Sequence, residues 1–486
     1  MRVNNNSIKS FLIAFICYAL CGTASATMHS KKTFFMPRPQ GSNLVTELSL
    51  FHDHIFNVDN KFHSHVQAVP FYQGSINGTP IGKYFGVGNG SNSFTIGTAA
   101  DVQVSSKYLF HNRSTDCPSG TMIFNPKQEV YGVRLDFFQS IIDPGKKLFL
   151  KASAPYVNVS NDMHFKVLEE TEDTRHETLS NFFHGDAIST SMTSTQEALT
   201  KGKISGRRSR TGFSNLDFNF GYKFVNNKKS HLFVNACVSL PTGNKPRGEY
   251  LFEPVYGNGG HVAVGLGADA SYKLWKRERH CGKVTAALNY KYIFDGSETR
   301  TIPVKSSLGS DYRGYTFAHY YLSVKNGQLS SAGLFPAANV LTQKVTVRPG
   351  NELDGLLMLN FKTKRFLIDL GYEAYYKENE AITLKNWNDD VYAIVKDDFI
   401  YNRVTGNFDI TSDAASILIK LNRENLDING AGTPSQFTNK IFGSLGYKFS
   451  MGKYPTTFGL GGSYEFATSN SELEGYAIWG KLAMSF

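Results

Sequence analysis

Apolar and polar residues alternate with a period of two along most of this chain. Leu216, Phe218, Phe220, Tyr222 and Phe224 share one parity, and Asp217, Asn219, Gly221 and Lys223 the other. Val262, Val264, Leu266, Ala268, Ala270 and Tyr272 alternate in the same way with Ala263, Gly265, Gly267, Asp269 and Ser271. The pattern returns at Val284–Tyr292, Phe366–Glu373, Ile441–Phe449 and Phe458–Phe466. Successive side chains of a strand point to opposite faces, so a period of two predicts β-strands. Twelve segments qualify, near 62–73, 131–141, 146–157, 215–225, 231–240, 261–275, 283–294, 354–362, 365–377, 437–449, 455–467 and 476–486. A tilted transmembrane strand needs ~9–11 residues, with apolar side chains toward lipid and polar ones toward a lumen. Strands of soluble domains more often run ~5–6. Tyr222, Phe224, Tyr272, Tyr447 and Phe449 lie near strand ends, where aromatic girdles meet the membrane interfaces. The competing reading is a secreted all-β sandwich with one buried face.

The gaps between these segments alternate in length. Short turns fall at Asp143-Pro144-Gly145, Asn226–Ser230, Lys276–Gly282, Lys362–Lys364 and Ser450–Lys453. Between them lie long loops at 74–130, 158–214, 241–260, 295–353 and 378–436, with a short last one at 468–475. Short periplasmic turns and longer outer loops are the habit of outer-membrane barrels. The expectation is therefore an all-β, antiparallel up-and-down transmembrane barrel of about 12 strands (range 10–14) over residues 62–486. The long loops should cap the outer mouth or fold inward.

The final strand is the sharpest local signal. Tyr476, Ile478, Gly480, Leu482, Met484 and Phe486 share one face, and Ala477, Trp479, Lys481, Ala483 and Ser485 the other. Tyr476 and Phe486 on the apolar parity resemble the C-terminal signal read by the barrel assembly machinery.

Residues 215–275 resemble a broad class of bacterial outer-membrane channel proteins. The stretch reads Asn215-Leu-Asp-Phe-Asn-Phe-Gly-Tyr, then Val238-Ser-Leu-Pro-Thr-Gly, then Gly259-Gly-His-Val-Ala-Val-Gly-Leu-Gly. A strand ending in Pro241-Thr242-Gly243 before a Gly-rich strand is similar to the hydrocarbon-uptake type, including phenol-degradation-pathway barrels and, more distantly, long-chain fatty-acid transporters. Residues 440–486 resemble the closing hairpin and terminal strand of outer-membrane barrels in general. The resemblance implies a β-barrel and a passive transporter. It carries over no binding residue and names no solute.

Composition narrows the picture further. The chain has 486 residues, a formal charge of +10, 41% hydrophobic and 13% aromatic residues, and a mean hydropathy of −0.28. The longest apolar run is Phe11–Cys21, well short of the ~20 residues of a membrane-spanning helix. Arg2 and Lys9, that run, and Ala24-Ser25-Ala26 make a secretory signal peptide over 1–26, cleaved after about Ala26. Cys117, Cys237 and Cys281 then remain, enough for at most one disulfide and without C-x-x-C spacing. The basic excess forms no dense patch with interleaved aromatics, so nucleic acid is not an expected partner. Arg207-Arg208-Ser209-Arg210, at the end of an outer loop, suits lipopolysaccharide or solvent. Expected partners are outer-membrane lipid, lipopolysaccharide, the assembly machinery and small solutes.

Residues 27–61 precede the barrel. Leu44, Leu48, Phe51 and Ile55 recur at helical spacing after Ser42-Asn43, a candidate N-cap, which predicts one amphipathic helix. The segment either plugs the lumen or forms a periplasmic lead-in covering the barrel base.

Candidate chemistry is sparse. His52/His54 and His63/His65 are i, i+2 pairs, but no Cys, Asp or Glu completes a metal site at usual spacing. No nucleophile elbow, Walker loop, dinucleotide fingerprint or H-E-x-x-H motif occurs, so no catalytic residue, metal or cofactor is assigned. Transport specificity should lie on the polar parity. Arg134, Asp136, Asp217, Asn219, Asp269, Asn289, Asp369, Glu373, Glu465 and Lys481 are the lumen-facing candidates. Their mixed signs predict no strong ion preference, because a selective pore carries rings of one sign. Barrels of ~8 strands are filled by side chains and those of 16–18 leave an open channel. Twelve strands therefore predict a narrow, partly obstructed pore. A surface-exposed structural or adhesion barrel with a filled lumen, and an outer-membrane lipid-modifying enzyme, are the alternatives.

Overall fold

The computed structural model describes residues 32–486 except 57–61, 87–90, 100–101, 111–116, 142–146, 174–175, 192–193, 306–319, 326–333, 390, 396–399, 402–407, 410–417 and 468–472. The signal-peptide segment and the Asp143-Pro144-Gly145 turn lie outside the described residues. Twelve strands form the barrel: β1 (Ser64–Asn77), β2 (Lys127–Ser140), β3 (Leu148–Asp162), β4 (Leu216–Asn226), β5 (Ser230–Leu240), β6 (Ala263–Arg277), β7 (His280–Ile293), β8 (Gly350–Lys362), β9 (Phe366–Lys377), β10 (Gln436–Met451), β11 (Tyr454–Ala467) and β12 (Glu474–Ser485). Each pairs antiparallel with the next. β12 returns to β1, with Val66 opposite Met484 and Phe71 opposite Trp479, so the sheet closes and presents no open edge. A further strand, Arg208–Phe213, pairs with the outer half of β3 while β4 pairs with its inner half. The two are one stave interrupted at Ser214-Asn215.

The strands outrun their sequence-based bounds at the outer end. β2 begins at Lys127 rather than near 131, and β8 at Gly350 rather than near 354. Polar residues carry the ladder there, as at Asn351 opposite Tyr292 and Glu352 opposite Lys291, so the hydrophobic pattern does not announce them. The β6–β7 connection, expected to span Lys276–Gly282, is a two-residue turn at Glu278-Arg279, with Glu278 at φ 39°. A register shift between Lys273 and Trp275 takes up the extra residue.

The apolar parity faces outward. Leu266 is 62% exposed and Leu460 60%, with Phe220, Leu370, Leu445 and Ile478 also exposed. So continuous an apolar surface around a closed sheet is stable only in lipid. Aromatic pairs mark both edges of this band: Phe366–Tyr447 and Tyr222–Phe224 near the short turns, and Tyr156–Phe213 toward the long loops. The closed barrel spans a lipid bilayer.

The outer loops fold into a cap with its own core. Tyr84 and Phe85 of helix Thr79–Phe85, Phe94, Phe124, Phe182, Phe183 and Tyr320 are buried together, and Phe35 joins them from the N-terminal segment. The helix carrying Phe182 and Phe183, Leu179–His184, starts at an N-cap Thr178 whose Oγ1 accepts the Asn181 N–H at 3.1 Å, and stops at Gly185 with φ 84°.

A buried ionic cluster joins cap to barrel. The Glu298 carboxylate meets His261 Nε2 at 2.7 Å and Arg300 Nε at 2.6 Å, and Arg300 also reaches Glu380 at 3.3 Å. Burial pushes the Glu298 carboxyl up, but the Arg300 guanidinium and the His261 ring hold it below the usual carboxylate range. A carboxylate lowered in the native state contributes stability that is complete above its unfolded value of ~4.3 and is lost as pH falls through the native value. Limited proteolysis of the outer loops is therefore expected to accelerate below about pH 4 in the native protein. Glu298→Gln should remove most of that pH dependence; an unchanged profile would assign the acid sensitivity elsewhere.

Candidate functional site: the barrel lumen

From Arg38 to Phe56 the same chain lies against the inward side chains of the barrel, while residues 32–36 pack in the outer cap. The local structure inside the barrel differs from the single helix that the apolar spacing predicts. Asn43 does cap a helix: its Oδ1 accepts the Thr46 N–H at 2.8 Å, and α1 spans Leu44–Leu48. The helix stops at Ser49, Leu50 takes φ 61°, and a second turn, α2, spans His52–Ile55. The cause is tertiary. The Leu50 N–H donates to Asp369 Oδ2 at 2.6 Å, and the Ser49 carbonyl accepts from Lys481 Nζ at 2.5 Å. These strand side chains take backbone groups that a continuous helix would keep for itself.

The inward glycines of β10 and β11 make the seat for Leu50. A Cβ at Gly459 would lie 2.2 Å from Leu50 Cδ1, and one at Gly446 would lie 3.0 Å from Leu50 Cδ2. Gly221 likewise makes room for Phe149, Gly371 for Phe442 and Gly461 for Trp479. The glycine-rich polar parity is thus a set of sockets for bulky neighbours.

Most sequence-nominated residues meet the segment or a partner on the barrel wall. Arg134 donates to Asp136 at 2.8 Å, to Glu47 at 2.9 Å and to the Gly41 carbonyl at 3.0 Å. Lys151 pairs with Glu47 at 2.5 Å and lies 3.8 Å from Asp269. Glu373 is held by Arg38 at 2.9 Å, by Lys440 at 2.7 Å and by the Leu44 N–H at 3.1 Å. Asp369 faces His52 at 3.1 Å as well as the Leu50 amide. Lys481 donates to the Thr46 carbonyl at 2.7 Å besides Ser49. Glu465 pairs with Lys440 at 3.1 Å and accepts from Thr438, while Asp217 pairs with Lys291 at 2.7 Å. Asn219 and Asn289, with Asp217, Glu47, Asp354 and Tyr375, line a residual cavity of about 50 Å³. Tyr476 and Phe486 face outward, exposed on the apolar parity.

Other pairings were not readable from the sequence, although Lys448 stands on the polar parity and Asp53 on the N-terminal helix. Arg38 bridges Asp354 at 2.5 Å and Glu373, and stacks over Tyr375 at 4.4 Å. Asp53 is gripped by Lys362 at 2.7 Å and by Lys448. Lys440 and Asp354 were readable as inward positions from the parity of their strands, but nothing local marks Arg38 as their partner. Ser485 Oγ lies 2.7 Å from His54 Nδ1 and 2.8 Å from His65 Nδ1. This serine–imidazole group is fully buried, so a substrate cannot reach it in this arrangement. Among the described residues no three His, Cys, Asp or Glu side chains are grouped to hold a metal, and Cys117, Cys237 and Cys281 are free thiols.

No family model and no curated protein matches the chain. Solved structures do. An outer membrane channel from Pseudomonas putida F1 matches at 12% identity and TM-score 0.36, over 88% of this chain and 97% of that one. The toluene transporter TodX from Pseudomonas putida matches at 10% and 0.33, over 94% and 97%. The transport unit of the autotransporter AIDA-I from Escherichia coli matches at 10% and 0.33, over 93% and 99%.

Proposed function

We propose that this barrel is a passive channel for small solutes whose lumen is closed at rest by residues 32–56. The observation that carries this reading is how the segment is held. It joins no strand of the barrel sheet; ion pairs and hydrogen bonds from inward side chains anchor it, together with the burial of Leu44, Leu48 and Phe51 against the wall and of Phe35 in the cap. It can therefore leave while the wall stays intact. The lumen behind it is polar and of mixed sign, with Arg134, Lys151, Lys291 and Lys481 against Asp136, Asp217, Asp269 and Asp369, which favours uncharged or weakly charged solutes. Tyr476 and Phe486 supply the assembly signal.

A second reading has its own support. The filled lumen and the packed outer cap also suit a surface-exposed structural or adhesion barrel. Liposome swelling separates the two. The wild type should admit uncharged sugars slowly. Deletion of 32–56, with folding checked by heat-modifiable gel mobility, should swell liposomes rapidly up to a size cutoff. A folded deletion variant that stays tight would favour the second reading.

A further inference from the structure

A cavity of about 320 Å³ opens at the periplasmic mouth and shares only the Asp53–Lys362 pair with the lumen contacts described above. Its walls are the short turns of β4–β5, β6–β7 and β8–β9, and Asp53 and Phe56 of the N-terminal segment form its roof. Seven Lys and Arg side chains line it against two acids, Asp53 and Glu278. Asp53 is already committed to Lys362 and Lys448. Among the described residues Lys276, Arg279, Lys283 and Lys364 make no ion pair. Like charges converging on a concave, partly enclosed site repel one another, and low-dielectric walls strengthen the field they project. His231 and His280 add ring nitrogens, and the wall exposes more polar than apolar surface.

We propose that this cavity binds a phosphate-class anion. Lysine serves as a mobile point charge for phosphate, and several lysines around one pocket suit a group with many acceptor oxygens and no fixed orientation. Two sources supply that chemistry at this place. One is a soluble phosphate compound of the periplasm. The other is the headgroup of an anionic phospholipid in the inner leaflet, because exposed Leu274 and Trp275 put the lipid boundary beside the rim. The site stands whether or not the barrel conducts.

Cys281 lies in the cavity wall and is partly exposed, whereas Cys117 and Cys237 are buried. Its alkylation by N-ethylmaleimide, read by peptide mass spectrometry on the full chain, reports occupancy. In zwitterionic detergent, inorganic pyrophosphate at about ten times its Kd should slow alkylation about tenfold, while sodium chloride at equal ionic strength should not. The exposed double substitution Lys276→Gln/Lys364→Gln should abolish most of that protection without disturbing the barrel. Lys283→Gln, on β7 between the two, should do the same. In a second arm, phosphatidylcholine vesicles with and without phosphatidylglycerol replace detergent. Slower alkylation in the anionic vesicles assigns the site to a lipid headgroup; equal rates, with pyrophosphate still protecting, assign it to a soluble phosphate. Absence of protection in both arms, equal protection by chloride, or protection that survives the lysine substitutions overturns the proposal.

Discussion

Glu373→Ala is expected to release residues 32–56 from the lumen. Glu373 is the carboxylate on which three contacts converge: the Arg38 guanidinium, the Lys440 ammonium and the first backbone amide of α1. All three are buried with it. Removing one member of a buried ionic cluster leaves the others uncompensated, typically at about 3–5 kcal/mol, far above the worth of a surface pair. Asp354 and Glu465 remain for Arg38 and Lys440, so the lower end of that range applies. A loss of about 3 kcal/mol multiplies the undocked population by more than a hundredfold. Protease cleavage within 32–56 should rise accordingly, and swelling rates with it, while the heat-modifiable mobility of the barrel is kept. Arg38→Met/Glu373→Leu should recover part of the loss, since a buried pair replaced by apolar groups is often close to neutral. Unchanged protection of the segment in Glu373→Ala would show that Asp53, Glu47 and Leu50 hold it without Glu373.

Leu460→Arg tests the other face of the wall. Leu460 lies mid-way along β11, opposite Leu445 on one side and Gly480 on the other, within the exposed apolar band. An arginine at the bilayer midplane of a barrel costs about 2–4 kcal/mol, falling to about 0–1 near the interfaces. The substitution should lower the urea midpoint of folding into vesicles by the larger amount, and Tyr476→Arg, in the outer aromatic girdle, by the smaller. Equal costs at the two positions would mean that the band is not centred where the strand register puts it.

The barrel was legible in the sequence because its physics is local. A side chain on a strand must face either lipid or lumen, so each residue of β4, β6, β9 or β11 declares its side through its own polarity. The inward positions of Arg134, Asp217, Asp369 and Lys481 follow from that alternation alone. Strand count and gap alternation follow too, because a closed sheet in lipid leaves each stave long and each periplasmic turn short. Where polarity no longer discriminates, the reading stopped early: the outer ends of β2 and β8 continue in water, on polar residues, through ladder hydrogen bonds that carry no side-chain signature. The segment before the barrel was harder still. Its apolar spacing spells one helix, and the asparagine cap is correctly placed. Yet Leu50 adopts a left-handed conformation because Asp369 and Lys481, more than three hundred residues away, claim the backbone groups beside it. The choice of Arg38 as partner for Glu373, the glycine socket around Leu50 and the convergence of basic turns on one cavity have the same origin. Each depends on which strands become neighbours when the sheet closes. The chain determines by itself which face every strand shows; only closure of the barrel decides what those faces meet.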